Sequence, residues 1–552
     1  MPRLRYTWAT TLSPLDKGSW MSRRKRKVSY WQDAPLPREQ ILLIPTRLED
    51  AIPEDHPVRL LDELLDRIDW SEYEAAYNGS RGQPPIHPSI MSKVLLFAMI
   101  RGIRSSRQIE YELKHSIDFM WLASGRKIDH TTISEFRRKN GKELRGIFKQ
   151  LITSAIKLGI ANISELCIDG TRVLADANRY KSWTTERLER ALKQLDTEIA
   201  EALENLEVVD SLNEYLLGDD ISADKLPTSI ADMKLRREQL AKLQQVTQEM
   251  DLVRKRNGSD GPAQLPSTDT DSRILPNKEG GYAPNYTPMV TTEIGSGFIV
   301  HCDVVIGNVE HGQLLSIVNT VEVDYETKVE CVLADKAYTT GENLTGAEEA
   351  GFEIIGPMVQ VEVEHNPAIR ADLTQPVAQE KLSQLPINPQ SKRFDKSAFV
   401  YDEESDSYYC PAGKQLIHRT TENKKIGDGQ TSAHHRYTCY DCAGCSLVEM
   451  CRSNPGSPRG REVFHDDHEP ARRRQRERMK APGSKEHYKK RTHLGEVPFA
   501  IIKACFSLRR FLLRGIEGVQ QEWRWTATAF NIKKLMGILR NDPVLRAKIC
   551  GQ

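Results

Sequence analysis

The stretch ELCIDGT, residues 165–171, decides how this chain is read. Three apolar residues, Leu166, Cys167 and Ile168, run into Asp169, and a glycine and a threonine end the run. A short apolar run closed by turn-forming residues predicts a buried β-strand. The pattern recurs in CVLADKAY, residues 331–338, where Cys331 to Ala334 lead into Asp335. A third acid, Glu496 in GEVPFAIIK, opens a segment with helical spacing. An aspartate at a strand end is ordinarily a turn or a helix cap. Acids fixed on strand ends and a helix face are also what hard divalent cations require. Mg2+ takes carboxylate oxygens, and two-metal sites hold their ions about 3.5–4 Å apart.

At 552 residues the chain exceeds one ordinary core, and its length implies about three or four folding units. Its 39% hydrophobic and 28% charged residues are a globular composition. There is no apolar run long enough to span a bilayer and no apolar core behind the basic N-terminal residues, so a cytoplasmic, nucleoid-associated protein is expected. The net charge of +1 hides strong segregation. Residues 196–224 hold ten acids and no Lys or Arg, whereas residues 472–491 hold ten bases against Glu477 and Glu486. Arg23 to Lys27 form a second basic block. Such blocks bind phosphate backbones or simply face solvent. Ten cysteines in a reducing compartment point to metal or burial rather than to disulfides.

Composition and periodicity divide the chain. Residues 1–34 read as a basic, disordered N-terminus, in which Met21 offers an alternative start. Residues 35–160 carry helical spacing (Leu60, Leu61, Leu64, Leu65, Ile68; then Ile90, Val94, Leu95, Ala98, Met99) and predict an all-helical DNA-binding domain of helix-turn-helix type. A helix start is expected at Thr131, where a hydroxyl precedes Glu135. Residues 161–183 and 258–359 alternate strand and helix signals, with strands expected at 164–169, 286–293, 298–306, 329–334 and 352–357. Helices are expected near 310–322 and 341–350. Residues 184–257 interrupt this order with an a/d seam, Leu188, Leu192, Leu195, Ile199, Ala202, Leu206 and Val209, resumed at Met233, Leu240, Leu243, Met250 and Val253. With a break at Gly218-Asp219-Asp220, they predict a coiled-coil hairpin insertion. Residues 360–480 form a Cys-rich, zinc-ribbon-like insertion, and 481–545 return to the core as C-terminal helices carrying Glu496.

A strand ending in Asp169, a later strand ending in Asp335 and a late helix with Glu496 are the order of an RNase H-like α/β core. The residues also resemble those of the DDE transposases of bacterial insertion sequences. CIDGTRVLADANRYKS resembles that family's first-aspartate block, VLADKAYTTGEN its second, and the segment from His87 to Asn140 its N-terminal helical domain, with Arg104-Ser105-Ser106-Arg107 and Asp129 to Ile133 as marked elements. Tyr488, Arg491, Glu496 and Lys503 resemble its Tyr-Arg-Glu-Lys signature, except that four residues rather than three separate Arg491 from Glu496.

The resemblance implies that Asp169, Asp335 and Glu496 hold Mg2+ or Mn2+ and catalyse cleavage and strand transfer at the ends of a mobile element. It also implies contacts to double-stranded DNA from Tyr488, Arg491, Lys503, Arg104 and Arg107, joined by Arg473, Arg474 and Arg476 of the basic run, and a homodimer on paired ends. Asp271, in Asp271-Ser272-Arg273, is a weaker candidate for the site, because Tyr286-Thr287-Pro288-Met289 replaces the family's usual Tyr-Asn-x-Gln. Cys410, Cys442, Cys445 and Cys451, with Cys439 competing, are spaced for a tetrahedral zinc site. A resolvase-type nuclease using the same acids, or a DNA-binding protein with a dead core, are the alternative readings.

Overall fold

A computed structural model describes residues 47–75, 85–217, 228–256, 258–259, 261–277, 280–358, 366–425 and 431–550. The N-terminal basic segment and the Gly218–Asp220 break lie outside them. The chain divides into two units, Met1–Ala51 and Ile52–Gln552. The described part of the first is one 3-10 turn, Glu49–Ala51, beside an Arg47–Asp50 ion pair at 2.7 Å.

The second unit opens with helices. Two of them, α1 (Pro57–Leu65) and α2 (Pro88–Ile100), start alike. A histidine caps each, His56 or His87 accepting from a backbone N–H at 3.2 Å, and a proline follows at the first helical position. Proline suits that place because its ring presets φ and its missing N–H would be an orphan there. After α3 (Ser106–His115) comes α4 (His130–Lys139), and its start corrects the expectation at Thr131. Asp129 is the cap, its carboxylate accepting from Thr131 N and Thr132 N at 2.9 Å each. A carboxylate facing two orphan N–H groups of the first turn outcompetes a hydroxyl. Helix α5 (Gly141–Lys157) then leads into the sheet.

The main sheet is mixed. Its strands are β1 (Glu165–Gly170), β2 (Val173–Leu174), β3 (Arg273–Pro276), β4 (Tyr282–Glu293), β5 (Ile299–Val305), β6 (Cys331–Leu333) and β7 (Glu353–Ile355). Across the sheet the order β5-β4-β1-β6-β7 holds, with β4 antiparallel to both β5 and β1, and β1, β6 and β7 mutually parallel. The five expected strands thus form within a few residues of their bounds. Between them run a 3-10 turn at Glu310–Gln313, α8 (Leu314–Tyr325) and α9 (Gly341–Ala350). Two long helices leave the sheet after β2, and they are named here α6 (Thr185–Leu217) and α7 (Thr228–Arg256). They pack through Leu188, Leu195, Ile199 and Leu240, with Arg237 paired to Asp196 outside the seam.

A second, antiparallel sheet follows: β8 (Val400–Asp402), β9 (Ser407–Tyr409), β10 (Gln415–Lys425), β11 (Thr431–Thr438) and β12 (Glu462–Asp466). Then come α10 (Glu469–Lys480), α11 (Pro482–Ala504) and α12 (Ile516–Asn541), and a short helix, Pro543–Cys550, ends the described residues. Helix α11 starts well before Glu496, although residues 482–495 are too polar to show an apolar stripe.

Helix α12 is buried almost all round and joins the two halves. Its Asn531 brackets β5 as a neighbouring strand would, accepting from Ile299 N at 2.9 Å and donating to Ile299 O at 2.7 Å. Trp523 Nε1 donates to Met289 O in β4 at 2.9 Å. On its other side Trp525 meets Phe136 of α4, with ring centroids 6.1 Å apart. The helices of 57–157 therefore share one apolar core with α12 and the main sheet rather than closing on themselves.

Candidate active site

The register of the sheet brings the two aspartates together. Cys167 of β1 stands opposite Leu333 of β6. Asp169 lies two residues past that pair within β1, and Asp335 lies two residues past it, just beyond the end of the parallel β6. Side chains alternate faces along a strand, so both carboxylates share the face of Cys167, Cys331 and Leu333. That face is covered by α11, whose Tyr488 and Leu494 pack on those three residues and Ile355. Burial pushes the Cys167 thiol up to about 12, so it stays neutral beneath the acids.

Helix α11 approaches closely for two reasons. A Cβ on Gly495 would stand 2.8 Å from Asp169 Oδ2, a distance that glycine alone makes available. Pro498 lacks the N–H that would bond Leu494 O, and Thr292 Oγ1 of β4 lies 3.3 Å from that freed carbonyl. The turn holding Gly495 is thereby pinned to the sheet. Glu496 is the next residue and is exposed. Arg491, one turn before Gly495 on the same face, reaches Asp169 at 3.1 Å and Asp335 at 4.0 Å. Its guanidinium takes the place of a cation between the two carboxylates. Tyr488, half-buried against Cys167 and bonded to Arg491, seats it. Lys503 donates to Thr171 Oγ1 at 2.7 Å and to Arg172 O at 3.0 Å, tying the far end of α11 to the turn after Asp169.

Several polar atoms here are buried without a hydrogen-bond partner: Arg491 Nε, the Tyr338 hydroxyl and Glu310 Oε2. Asp169, Glu310 and Asp335 all bear electrostatically on Tyr338, whose hydroxyl burial pushes far above the ordinary phenol range. Asn343 draws the two segments together, donating to His311 O and Tyr338 O at 2.8 Å each. Sequence reasoning missed both residues. Tyr338 was legible, three positions past Asp335 in ADKAY; nothing marks Glu310, in a turn between a strand and a helix. Among the described residues, no three His, Cys, Asp or Glu side chains are already drawn to metal-ligand spacing. Asp169 and Asp335 converge on Arg491 instead. Orphaned acid and phenol oxygens around a guanidinium stand-in fit a hard cation.

Other expected contacts are placed differently. Arg104 does not face outward: it is 12% exposed and pairs with Glu522, itself 1% exposed, while also donating to Ser507 O at 3.0 Å. It braces α12, and its DNA-contact reading is withdrawn; Arg107 is exposed. The basic run is also largely engaged. Arg472 is bidentate to Asp466 at 2.6 and 2.8 Å, and Arg476 reaches Glu469 at 2.8 Å. Arg474 pairs with Glu348 at 2.6 Å, and Arg473 lies 3.7 Å over the Tyr401 ring. Arg473 and Arg474 therefore hold α10 to its neighbours and Arg476 pairs within α10, so all three expected DNA contacts have partners inside the protein. Asp271 accepts from Ile516 N at 2.8 Å and Asp269 from Gly515 N at 3.2 Å and Tyr286 Oη at 2.6 Å. They cap α12.

Cys410, Cys439, Cys442, Cys445 and Cys451 line one cavity of about 20 Å3, room for about one water-sized atom. Lys414 N donates to Cys410 Sγ and Arg461 N to Cys442 Sγ, both at 3.4 Å. Burial raises the Cys410 thiol and pushes Cys439 up to about 12 and Cys451 up to about 11. These thiols stay protonated unless a cation compensates.

Two stretches of the chain match known protein families. Residues 46–139 match a transposase domain (DUF772), and residues 409–536 match a transposase DDE domain. The first match puts the helical region in the transposase class. The second makes the chain an insertion-sequence DDE transposase, an enzyme for metal-dependent DNA cleavage and strand transfer. No match is found among curated proteins. Among solved structures, a piggyBac transposase synaptic complex with hairpin DNA is 9% identical, with 87% of this chain and 75% of that one covered and a TM-score of 0.30. A Mos1 transposase paired-end complex with the left transposon end is 9% identical over 52% of this chain and 66% of that one, at a TM-score of 0.14. A Mos1 mariner paired-end complex with Mn is 9% identical over 55% and 78%, also at 0.14. No helix among the described residues is long and apolar enough to cross a membrane.

Proposed function

We propose that the main sheet is an RNase H-like core in which Asp169, Asp335 and Glu496 hold two Mg2+ or Mn2+ ions at the scissile phosphate of a mobile-element end. The single observation carrying this is the register: Asp169 in β1 and Asp335 just past the end of the parallel β6 lie equal steps beyond the paired Cys167 and Leu333, under the helix that bears Glu496. When bound, the ions sharpen a water or 3′-hydroxyl nucleophile and draw charge from the leaving oxygen. The chain's own residues do the rest. Arg491, which pairs with Asp169 at 3.1 Å, would offer its guanidinium to a phosphate oxygen once Asp169 had another cation to pair with. Tyr488 keeps it within reach, and Lys503 holds the Thr171–Arg172 turn where the strand passes.

The five-cysteine cavity suits a structural zinc held by Cys410, Cys442, Cys445 and Cys451, with the Lys414 and Arg461 amides bonding two of the sulfurs. The α6–α7 pair is a coiled-coil insertion, and its length favours pairing of protomers on two DNA ends. Arg107 and the capped helices beside it face the terminal repeats of double-stranded DNA. A strand-transfer assay tests the main reading: with Mg2+, the protein joins a pre-cleaved element end to plasmid DNA. Cutting without joining would return the resolvase-type alternative. For zinc, metal analysis of reduced protein should give about one equivalent, lost in Cys445→Ser; none in the wild type overturns it.

A further inference from the structure

Just beyond Asp169 lies a cleft that none of the roles above uses. It has a volume of about 490 Å3, and its floor is apolar, formed by Leu174, Ala175, Ala283 and Pro284. Arg179, Lys181, Arg510 and Arg514 line it against one acid, Asp176, which Arg514 already engages at 2.8 Å. Among the described residues, no carboxylate stands at ion-pair distance from Arg179, Lys181 or Arg510. Two exposed tyrosines adjoin lining residues along the chain and stand outside the lining itself. Tyr180, between Arg179 and Lys181, is 88% exposed, and Tyr282, whose carbonyl accepts from Arg179 at 3.0 Å, is 56% exposed.

The cleft is built rather than loose. Leu174 is bonded through its N–H to Arg509 O at 3.3 Å and through its carbonyl to Phe511 N at 2.8 Å. Tyr180 is held out by a turn in which Asn178 Oδ1 accepts its N–H at 2.9 Å. An aromatic held in water between two bases that line the cleft is a stacking platform beside it.

We propose that this cleft binds an unpaired DNA strand, with the bases Arg179, Lys181 and Arg510 on its phosphates and a base stacked on Tyr180. It rests on the transposase reading for the source of that strand, which is the frayed or displaced strand next to the cut. The test is binding of the full chain to fluorescein-labelled (dT)20 and to a blunt 20-base-pair duplex, in EDTA and at several salt concentrations. Tyr180→Ala should weaken (dT)20 about tenfold, the size of one lost stack, and the duplex less than twofold. Tyr180→Phe should bind as the wild type. Lys181→Ala with Arg510→Ala should weaken (dT)20 and flatten its salt dependence by about 0.7 per lost phosphate contact. Unchanged (dT)20 affinity in Tyr180→Ala at wild-type melting temperature overturns the proposal, as does an equal loss on duplex. No chemistry occurs in EDTA, so failure here leaves the catalytic acids standing, and their failure in cleavage assays leaves this site standing.

Discussion

Arginine meets carboxylate in two different ways in this molecule. At the junction of α10 with the second sheet, Arg472 and Arg476 are matched to Asp466 and Glu469, with Lys396 adding a third cation to Glu469. Around Asp169 the match is incomplete. Arg491 serves two aspartates unequally, its Nε is orphaned, and a tyrosine hydroxyl and a glutamate oxygen are buried beside it without partners. Buried polar atoms are nearly always paired, and each exception asks for an explanation. A matched cluster is part of the fold. An unmatched one is arranged around something that arrives later.

That contrast can be broken most forcefully at the acids. Asp169→Asn, Asp335→Asn or Glu496→Gln should each cut Mg2+-dependent cleavage about a thousandfold or more, the loss of several kcal/mol of charge stabilisation. Unfolding midpoints and DNA binding should stay close to wild type. Any of the three cleaving near normally would remove that residue from the site. The buried pair should respond in the opposite sense. Arg104→Ala strands Glu522 without its cation and should lower unfolding stability by about 3–5 kcal/mol, read by urea titration, with binding per folded molecule unchanged. A stable variant with weakened DNA binding would restore the surface reading of Arg104.

Gly495→Ala comes next. Its methyl would press on Asp169, displace the Glu496 turn and cost about a hundredfold in cleavage, with little loss of stability. Arg474→Ala should do almost nothing. The Arg474–Glu348 pair is half exposed, worth less than about 1 kcal/mol, and the salt dependence of DNA binding should not change. A flatter slope would show that DNA competes for this side chain. The smallest effect is at low pH. Although burial opposes it, Lys396 and Arg476 hold the Glu469 carboxyl down at about 2, below the roughly 4.3 of an unfolded glutamate. Its contribution is therefore complete above about pH 4.3 and fades as pH falls towards 2. Acid unfolding of Glu469→Gln should lack that increment.

The sheet and its two aspartates were legible because each lies in a short apolar run that fixes its own direction and end. The charge blocks were not. A window of ten bases at 472–491 carries no record of Asp466, Glu348 or Glu403, which come to it from other elements, or of Glu469 at the start of α10 itself. Arg104 was misplaced for the same reason, since Glu522 is 418 residues away along the chain. The start of α11 was missed because its docking depends on Gly495, Pro498 and the Thr292 hydroxyl rather than on an apolar stripe. The site's orphaned oxygens, Glu310 above all, exist only once distant turns meet.

Helix α12 sets a timetable for the cell. Its residues 516–541 fill the core of the helices at 57–157, so that early segment cannot finish folding until nearly the whole chain has been made. At about 5–20 residues per second, ribosomes take on the order of a minute to supply it. A message cut short, or a reading frame lost before codon 516, yields a protein with an open N-terminal core and two aspartates lacking a finished scaffold. Only a chain carried through α12 has its N-terminal core closed and the scaffold around the two aspartates finished.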